Sequence, residues 1–297
     1  MLTLLFVVTR IVANPVSNLF QKQLTRKSAN PLFIIGFVHT SLTVACLPLL
    51  IGLASLRPPG GSAVWANMIV CACLAVGGNV LLVYALKSTD LSVLGPINAY
   101  KSVISLVLGI FLIGERPTAA GVAGILLILA GSYFIVDSDL AQPRRNAFVQ
   151  FFRERGIQLR FAALGLSATE AIFLKKAILL SSPLTVFVLW SILGVPIAWA
   201  AILIGLRGRT QDEIGILRHN PRPYFWLAIT TGMMQLATVL TFGTLQVGYS
   251  LALFQMSTLI SVFLGYRYFQ EGHVRKRLLG SLVMVAGAAM IVLRGVR

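Results

Sequence analysis

Polar residues interrupt the long apolar runs of this chain at helical spacing, and they are where chemistry would be done. Arg10, Asn14, Ser17 and Gln21 are spaced so that a helix carries them on one face. Asn98, Lys101, Ser105 and Gly109 repeat the arrangement further on. Glu170 is the one clear carboxylate in the middle of an apolar run, with Ser167 a turn before it. Arginine and lysine bind carboxylate or phosphate by charge-assisted hydrogen bonds. A carboxylate in apolar surroundings can take up and release a proton. Nothing here points to bond-making chemistry. The sequence has no Ser/His/Asp order, no HExxH pair, no P-loop and no Cys/His metal spacing, so no catalytic residue, metal or cofactor is expected.

Each position also has a plainer reading. Arg10 either lines a pathway or snorkels to the near membrane surface. Lys101 sits midway along its run, where insertion costs about 2.5–3.5 kcal/mol; it binds a solute or pairs with a carboxylate such as Glu170. Glu170 either couples proton movement or compensates Lys101, Lys175 or Arg10. His39, with Gly36 and Thr43 a turn to either side, titrates or simply satisfies a hydrogen bond. Asn79 and Gln235 bind solute or bond a neighbouring helix. Trp190 and Tyr100 pack a ligand or the core. Ser257 is the counterpart of Lys101 in the repeat described below. The candidate substrate-binding set is therefore Arg10, Asn14, His39, Asn79, Asn98, Lys101, Ser105, Trp190, Gln235 and Ser257, with Glu170 as the proton-coupling candidate.

Composition says what must position these residues. Of 297 residues, 57% are hydrophobic and 11% charged, well below the roughly 25% charged of soluble domains. The solvent for so much apolar surface is the lipid bilayer. The net charge of +16 lies mostly in short loops, where it sets orientation and meets anionic lipid rather than nucleic acid. Ten segments are long and apolar enough to span: about 2–20, 32–51, 64–86, 91–113, 119–136, 159–178, 184–206, 224–246, 250–269 and 278–293. Interior Pro15, Pro48, Pro96 and Pro196 should kink their helices. Gly95-Pro96 should break span 4 just before Asn98. The N-terminal run lacks a basic leader and contains Arg10, so it reads as a retained span rather than a signal peptide.

The chain repeats itself. Between Glu115 and Val136, seven of 22 positions match those between Glu271 and Val292, including Glu115 with Glu271, Gly124 with Gly280 and Gly131 with Gly287. Phe20-Gln21-Lys22 resembles Phe173-Leu174-Lys175, and Asn79 corresponds to Gln235. Five spans per copy is an odd number, so the second copy enters the membrane from the opposite side. The expected fold class is all-α integral membrane, with ten transmembrane helices as two inverted five-helix repeats. The first repeat covers 1–137 and the second 159–297. A connecting loop, 138–158, forms an interfacial helix or a solvated link. Inverted repeats are typical of secondary transporters, with a site near the midplane. The paired glycines suit close packing of spans 5 and 10, either as scaffold or as a homodimer face.

Ala85-Leu86-Lys87-Ser88-Thr89 before span 4, Gly114-Glu115-Arg116-Pro117 after it, and the glycine-bearing run 121–136 resemble the EamA-type branch of the drug/metabolite transporter superfamily. The second copy departs, with Gln270-Glu271-Gly272-His273 and Phe242-Gly243-Thr244-Leu245 at the matching places. The resemblance implies a cell (inner) membrane, multi-pass transporter of a small-molecule substrate, an exporter or exchanger of a metabolite such as an amino acid or organic acid. Alternatives are a flippase for a lipid-linked phosphate or sugar and, in another class, an intramembrane enzyme or a non-transporting receptor. Sixteen basic residues follow odd-numbered spans and six lie on the other side, which puts both termini outside; the resemblance implies termini inside.

Overall fold

The computed structural model describes residues 2–54, 61–101, 103–104, 118–136, 151–245 and 247–294. The described chain forms twelve helices and, among the described residues, no strand. They are α1 (Leu2–Arg26), α2 (Pro31–Ala54), α3 (Gly61–Ser88), α4 (Leu91–Ile97), α5 (Ala119–Val136) and α6 (Arg155–Leu180). Then come α7 (Pro183–Leu206), α8 (Thr210–His219), α9 (Pro221–Thr244), α10 (Val247–Phe254), α11 (Ser257–Phe269) and α12 (Val274–Arg294). Ser105, Gly109, residues 114–117 and most of the 138–158 connector lie outside the described residues.

Local chemistry sets the helix ends. Asn30 accepts the Leu32 N–H at 2.9 Å to start α2. Ser182 accepts the Thr185 N–H and Pro183 occupies the first turn of α7, whose end is a left-handed Arg207. Among the described residues, five helices have the length and hydropathy to cross a membrane: α1, α2 over Pro31–Pro48, α3, α7 and α9. α6 has 26 residues, but Arg160, Glu170, Lys175 and Lys176 interrupt its apolar body.

Burial is turned inside out relative to a water-soluble bundle. On α1, Asn14, Ser17, Asn18, Gln21, Lys22 and Thr25 are buried, while Leu2, Leu4, Leu5, Val8 and Val12 face outward. Leu203 and Ile204 at the end of α7 are 70% and 77% exposed. Such a surface is stable only against lipid. The protein is a multi-pass membrane protein.

Helices before residue 137 pack mainly on helices after residue 150: α1 on α9, α2 on α7, α3 on α6, α4 on α11 and α5 on α12. Glycine makes the last crossing. A Cβ on Gly131 would meet the Gly280 carbonyl and Met284, and one on Gly287 would meet the Gly124 carbonyl and Ile128. These glycines pack α5 against α12 within the chain.

Three features depart from expectation. The Arg207–Pro223 stretch contains α8, whose first turn carries Asp212 and Glu213 and whose last carries Arg218 and His219, matching the helix dipole. Glu213 docks α8 by accepting the Asn30 N–H at 2.9 Å. α6 begins at Arg155, so the expected connector already carries its first turn. Span 9, expected as one helix, is two: α10 stops at Phe254 and α11 restarts at Ser257. Across that break the Met256 N–H bonds the Leu253 carbonyl and the Thr258 N–H bonds the Gln255 carbonyl, both closing i to i−3 turns.

Candidate functional site

α1, α3, α6 and α9 enclose a cavity of about 120 Å³, and the breaks in α4 and α10 complete it. α1 contributes Arg10, Asn14, Ser17, Asn18 and Gln21, the face read from its spacing plus one neighbour. α6 contributes Arg160, Ala163, Ser167, Glu170, Ala171 and Leu174. α3 gives Gly78, Asn79 and Leu82, and α9 gives Met234, Gln235 and Thr238. The two walls correspond. The α3 positions are repeat-equivalent to those of α9, and the α1 positions 10, 14, 17, 18 and 21 to 163, 167, 170, 171 and 174 of α6.

The helix breaks place the next residues. After Gly95-Pro96, the Asn98 N–H bonds the Gly95 carbonyl at 3.0 Å and the Lys101 N–H bonds the Asn98 carbonyl at 3.0 Å. That tight turn brings both side chains to the cavity. Lys101 Nζ donates to Ser167 Oγ at 2.7 Å. Arg160 donates to Asn98 Oδ1 at 2.7 Å. Arg10 Nε donates to Thr238 Oγ1 at 2.8 Å, and its guanidinium lies 5.0 Å from the centroid of the Phe254 ring. Trp190 Nε1 donates to Glu170 Oε1 at 3.2 Å, which fixes the carboxylate at the wall. Ser17 and Thr231 share a 2.7 Å hydrogen bond across α1 and α9.

Of the residues read from sequence, Arg10, Asn14, Asn79, Asn98, Lys101, Glu170, Trp190 and Gln235 line this one cavity. Two do not. His39 is buried between α2 and α7, its ring centroid 4.5 Å from that of Trp190 and its ring filling the space a Cβ on Gly194 would need. Ser257 is buried where α11 starts, and its carbonyl accepts the Ser261 hydroxyl at 3.1 Å. Repeat equivalence to Lys101 failed for Ser257 because the α10–α11 break comes one position later than the α4 break. Arg160 is the charged site residue that sequence reasoning missed, and Asn18, Thr231, Thr238 and Gln255 are polar ones. Arg160 counts as a loop charge by position, yet it shares an α6 face with Ser167 and Glu170, a periodicity that would have found it.

A second buried polar cluster closes the bundle where α1 ends. Glu271 lies in the turn between α11 and α12, just after a left-handed Gln270 with φ 54°. Its carboxylate accepts the Leu91 and Ser92 N–H groups at 2.9 and 2.8 Å, capping α4. Lys22 Nζ reaches it at 2.8 Å and also donates to the Thr89 carbonyl at 3.0 Å. Arg277 lies 3.8 Å from Glu271 and 3.3 Å from Asp90. Burial alone would raise the Glu271 carboxyl. Lys22 and the hydrogen bonds from Lys22 and Ser92 outweigh it and hold the group below its ordinary value of 4.5. Gly265 leaves the room for this carboxylate, which any Cβ there would displace. At the opposite end, Lys175 donates to the carbonyls of Phe242 and Leu245, where Lys175 and Leu245 are the repeat counterparts of Lys22 and Thr89.

An outward apolar surface around a polar-lined interior cavity defines an integral membrane protein. Residues 1–137 match the family model of the EamA-like transporter family. That family model describes transporters. A comparison with curated proteins gave no match. One solved crystal structure, described only as that of a protein, is 18% identical with a TM-score of 0.52, covering 98% of this chain and 96% of its own. At that identity the likeness concerns the fold alone.

Proposed function

We propose that this protein is a secondary-active transporter of a small metabolite bearing a carboxylate or phosphate, resident in the cell (inner) membrane. It works by alternating access between two inverted five-helix repeats, α1 to α5 with the segment after α4, and α6, α7 and α9 to α12. The observation that carries the reading is the cavity itself, whose walls come from repeat-equivalent positions of both halves. The packing supports the same two-fold relation. Exchanging the repeats turns the α1–α9 contact into the α6–α3 contact and returns α2–α7, α4–α11 and α5–α12 to themselves.

Arg10, Asn14, Asn79, Asn98, Lys101, Trp190 and Gln235 bind the substrate. Glu170 exchanges a proton as the site opens to each side in turn. Broken helices α4 and α10–α11 supply free backbone groups at the site and act as hinges. A cavity of about 120 Å³ suits a small solute better than a lipid-linked one.

The test is solute uptake into vesicles with and without a pH gradient. The reading predicts uptake that a gradient stimulates in the wild type and leaves unchanged in Glu170→Gln. Uptake indifferent to the gradient in the wild type would remove the proton from the mechanism. No uptake, with or without Lys101, would remove transport.

A further inference from the structure

We infer that the cavity takes a small organic dianion, which deepens the transporter reading and rests on it. Arg10, Lys101 and Arg160 line the cavity, and Glu170 is the carboxylate among its lining residues. Three cations against one carboxylate leave a formal surplus of two positive charges. Each cation is held by a neutral partner: Arg10 by Thr238, Lys101 by Ser167 and Arg160 by Asn98. Among the described residues, no carboxylate lies within 4.0 Å of any of the three, whereas Lys22 pairs with Glu271 and Asp90, and Arg277 with the same two acids.

The contrast with Lys22 and Arg277 is the core of the argument. Lys22 and Arg277 are buried, as is Arg160, while Arg10 and Lys101 are half-buried at the cavity wall, and the chain neutralises only the first two with acids in direct contact. A buried cation without a counter-charge is costly. At the cavity, the chain leaves that cost for a ligand to remove.

The hydrogen-bonding inventory agrees. Arg10 Nη1, Arg160 Nε and Gln235 Nε2, three donors on residues that line the cavity, are buried without a protein partner, while the unpartnered Gln21 Oε1 and Gln255 Oε1 are acceptors suited to a hydroxyl or water accompanying the anion. A guanidinium with a spare N–H matches a carboxylate or phosphate oxygen. The cations are also spread out. At about 1.5 Å of rise per residue, Arg160 and the Ser167 that holds Lys101 stand about 10 Å apart along α6. Spaced cations suit a molecule with anionic groups at two ends, such as a dicarboxylate, more than one with both charges on a single phosphate.

The experiment uses the purified full chain in proteoliposomes and in detergent. Four radiolabelled probes are offered: succinate, glycerol phosphate, alanine and choline. Uptake and the shift in thermal unfolding are both read. The inference predicts that succinate is taken up and raises the unfolding midpoint. Lys101→Gln or Arg160→Gln should cut its uptake at least tenfold, with Arg160→Lys restoring part of it. Removing one uncompensated cation should also raise the midpoint of the ligand-free protein, which an ordinary loss of packing would lower. Uptake of glycerol phosphate instead sustains the dianion and moves both charges onto one group. Uptake of alanine or choline without either dianion overturns the inference and leaves the transporter reading standing. If no probe moves and none shifts unfolding, both fall.

Discussion

Lys22 and Lys101 are both withdrawn into helices of an apolar bundle, and their surroundings assign them different work. Lys22 meets Glu271 at 2.8 Å within a cluster that ties α1, α4 and the α11–α12 turn together. Lys101 meets a serine. The first arrangement is a structural lock with a pH signature. Because the folded Glu271 pKa lies below the ordinary 4.5, its stabilisation is complete above that value and is lost as pH falls through the lowered one. Glu271→Gln should destabilise the protein at neutral pH by about 3 kcal/mol, since Lys22 is left buried with a weaker partner. It should also flatten the acid limb of a thermal-unfolding profile. A variant that unfolds in acid as the wild type does would show that the cluster contributes nothing. The line between legible and illegible residues runs through the same physics. Arg10, Asn14, Lys101 and Glu170 stood out because polar atoms in apolar runs have few explanations. Arg160 did not, since the end of an apolar run looks like a loop until the helix is known to begin at Arg155. His39 stood out as well and lies between α2 and α7 rather than on the cavity wall, a difference that spacing cannot tell.

Among the elements, the break in α4 was readable from Gly95-Pro96, whereas the break between α10 and α11 was not. Residues 247–258 contain no proline, and the turn there is held by i to i−3 bonds that no local signal announces. α8 was missed for another reason: at 10 residues it is too short for an apolar run, and only its charge order marks it. The glycines of α5 and α12 were legible as packing residues, but which helix they would meet was not. Their mutual contact gives a direct test. Gly131→Leu places side-chain atoms against the Gly280 carbonyl and Met284, and Gly131→Ala already crowds them. Leucine should cost about 1–3 kcal/mol and alanine less, read as graded losses in unfolding midpoint in detergent. Equal midpoints for all three proteins would mean that α5 and α12 do not pack this way.

At the scale of the whole molecule, the pairing of helices across the bundle supports the proposed two-fold relation between the halves. The repeat was legible because seven of 22 positions survive between Glu115 and Val136 and their copy. The cavity was not, because its walls are set by which helices cross. The positive-charge bias keeps its direction even though Lys22, Arg160 and Arg277 prove to be buried rather than loop residues. The Lys22–Glu271 cluster at one end and Lys175 with its carbonyls at the other are the contacts that must break in turn if each half rocks against the other.

Single-cysteine accessibility tests that claim most directly. Cys46, Cys71 and Cys73 would be replaced, and one cysteine set at Asn14 or at its repeat counterpart Ser167. Oriented vesicles would then be treated from either side with a membrane-impermeant thiol reagent. Alternating access predicts labelling of each position from both sides, with Glu271→Gln favouring the side that the cluster closes. Labelling from one side alone, under every gradient and in both variants, would contradict it.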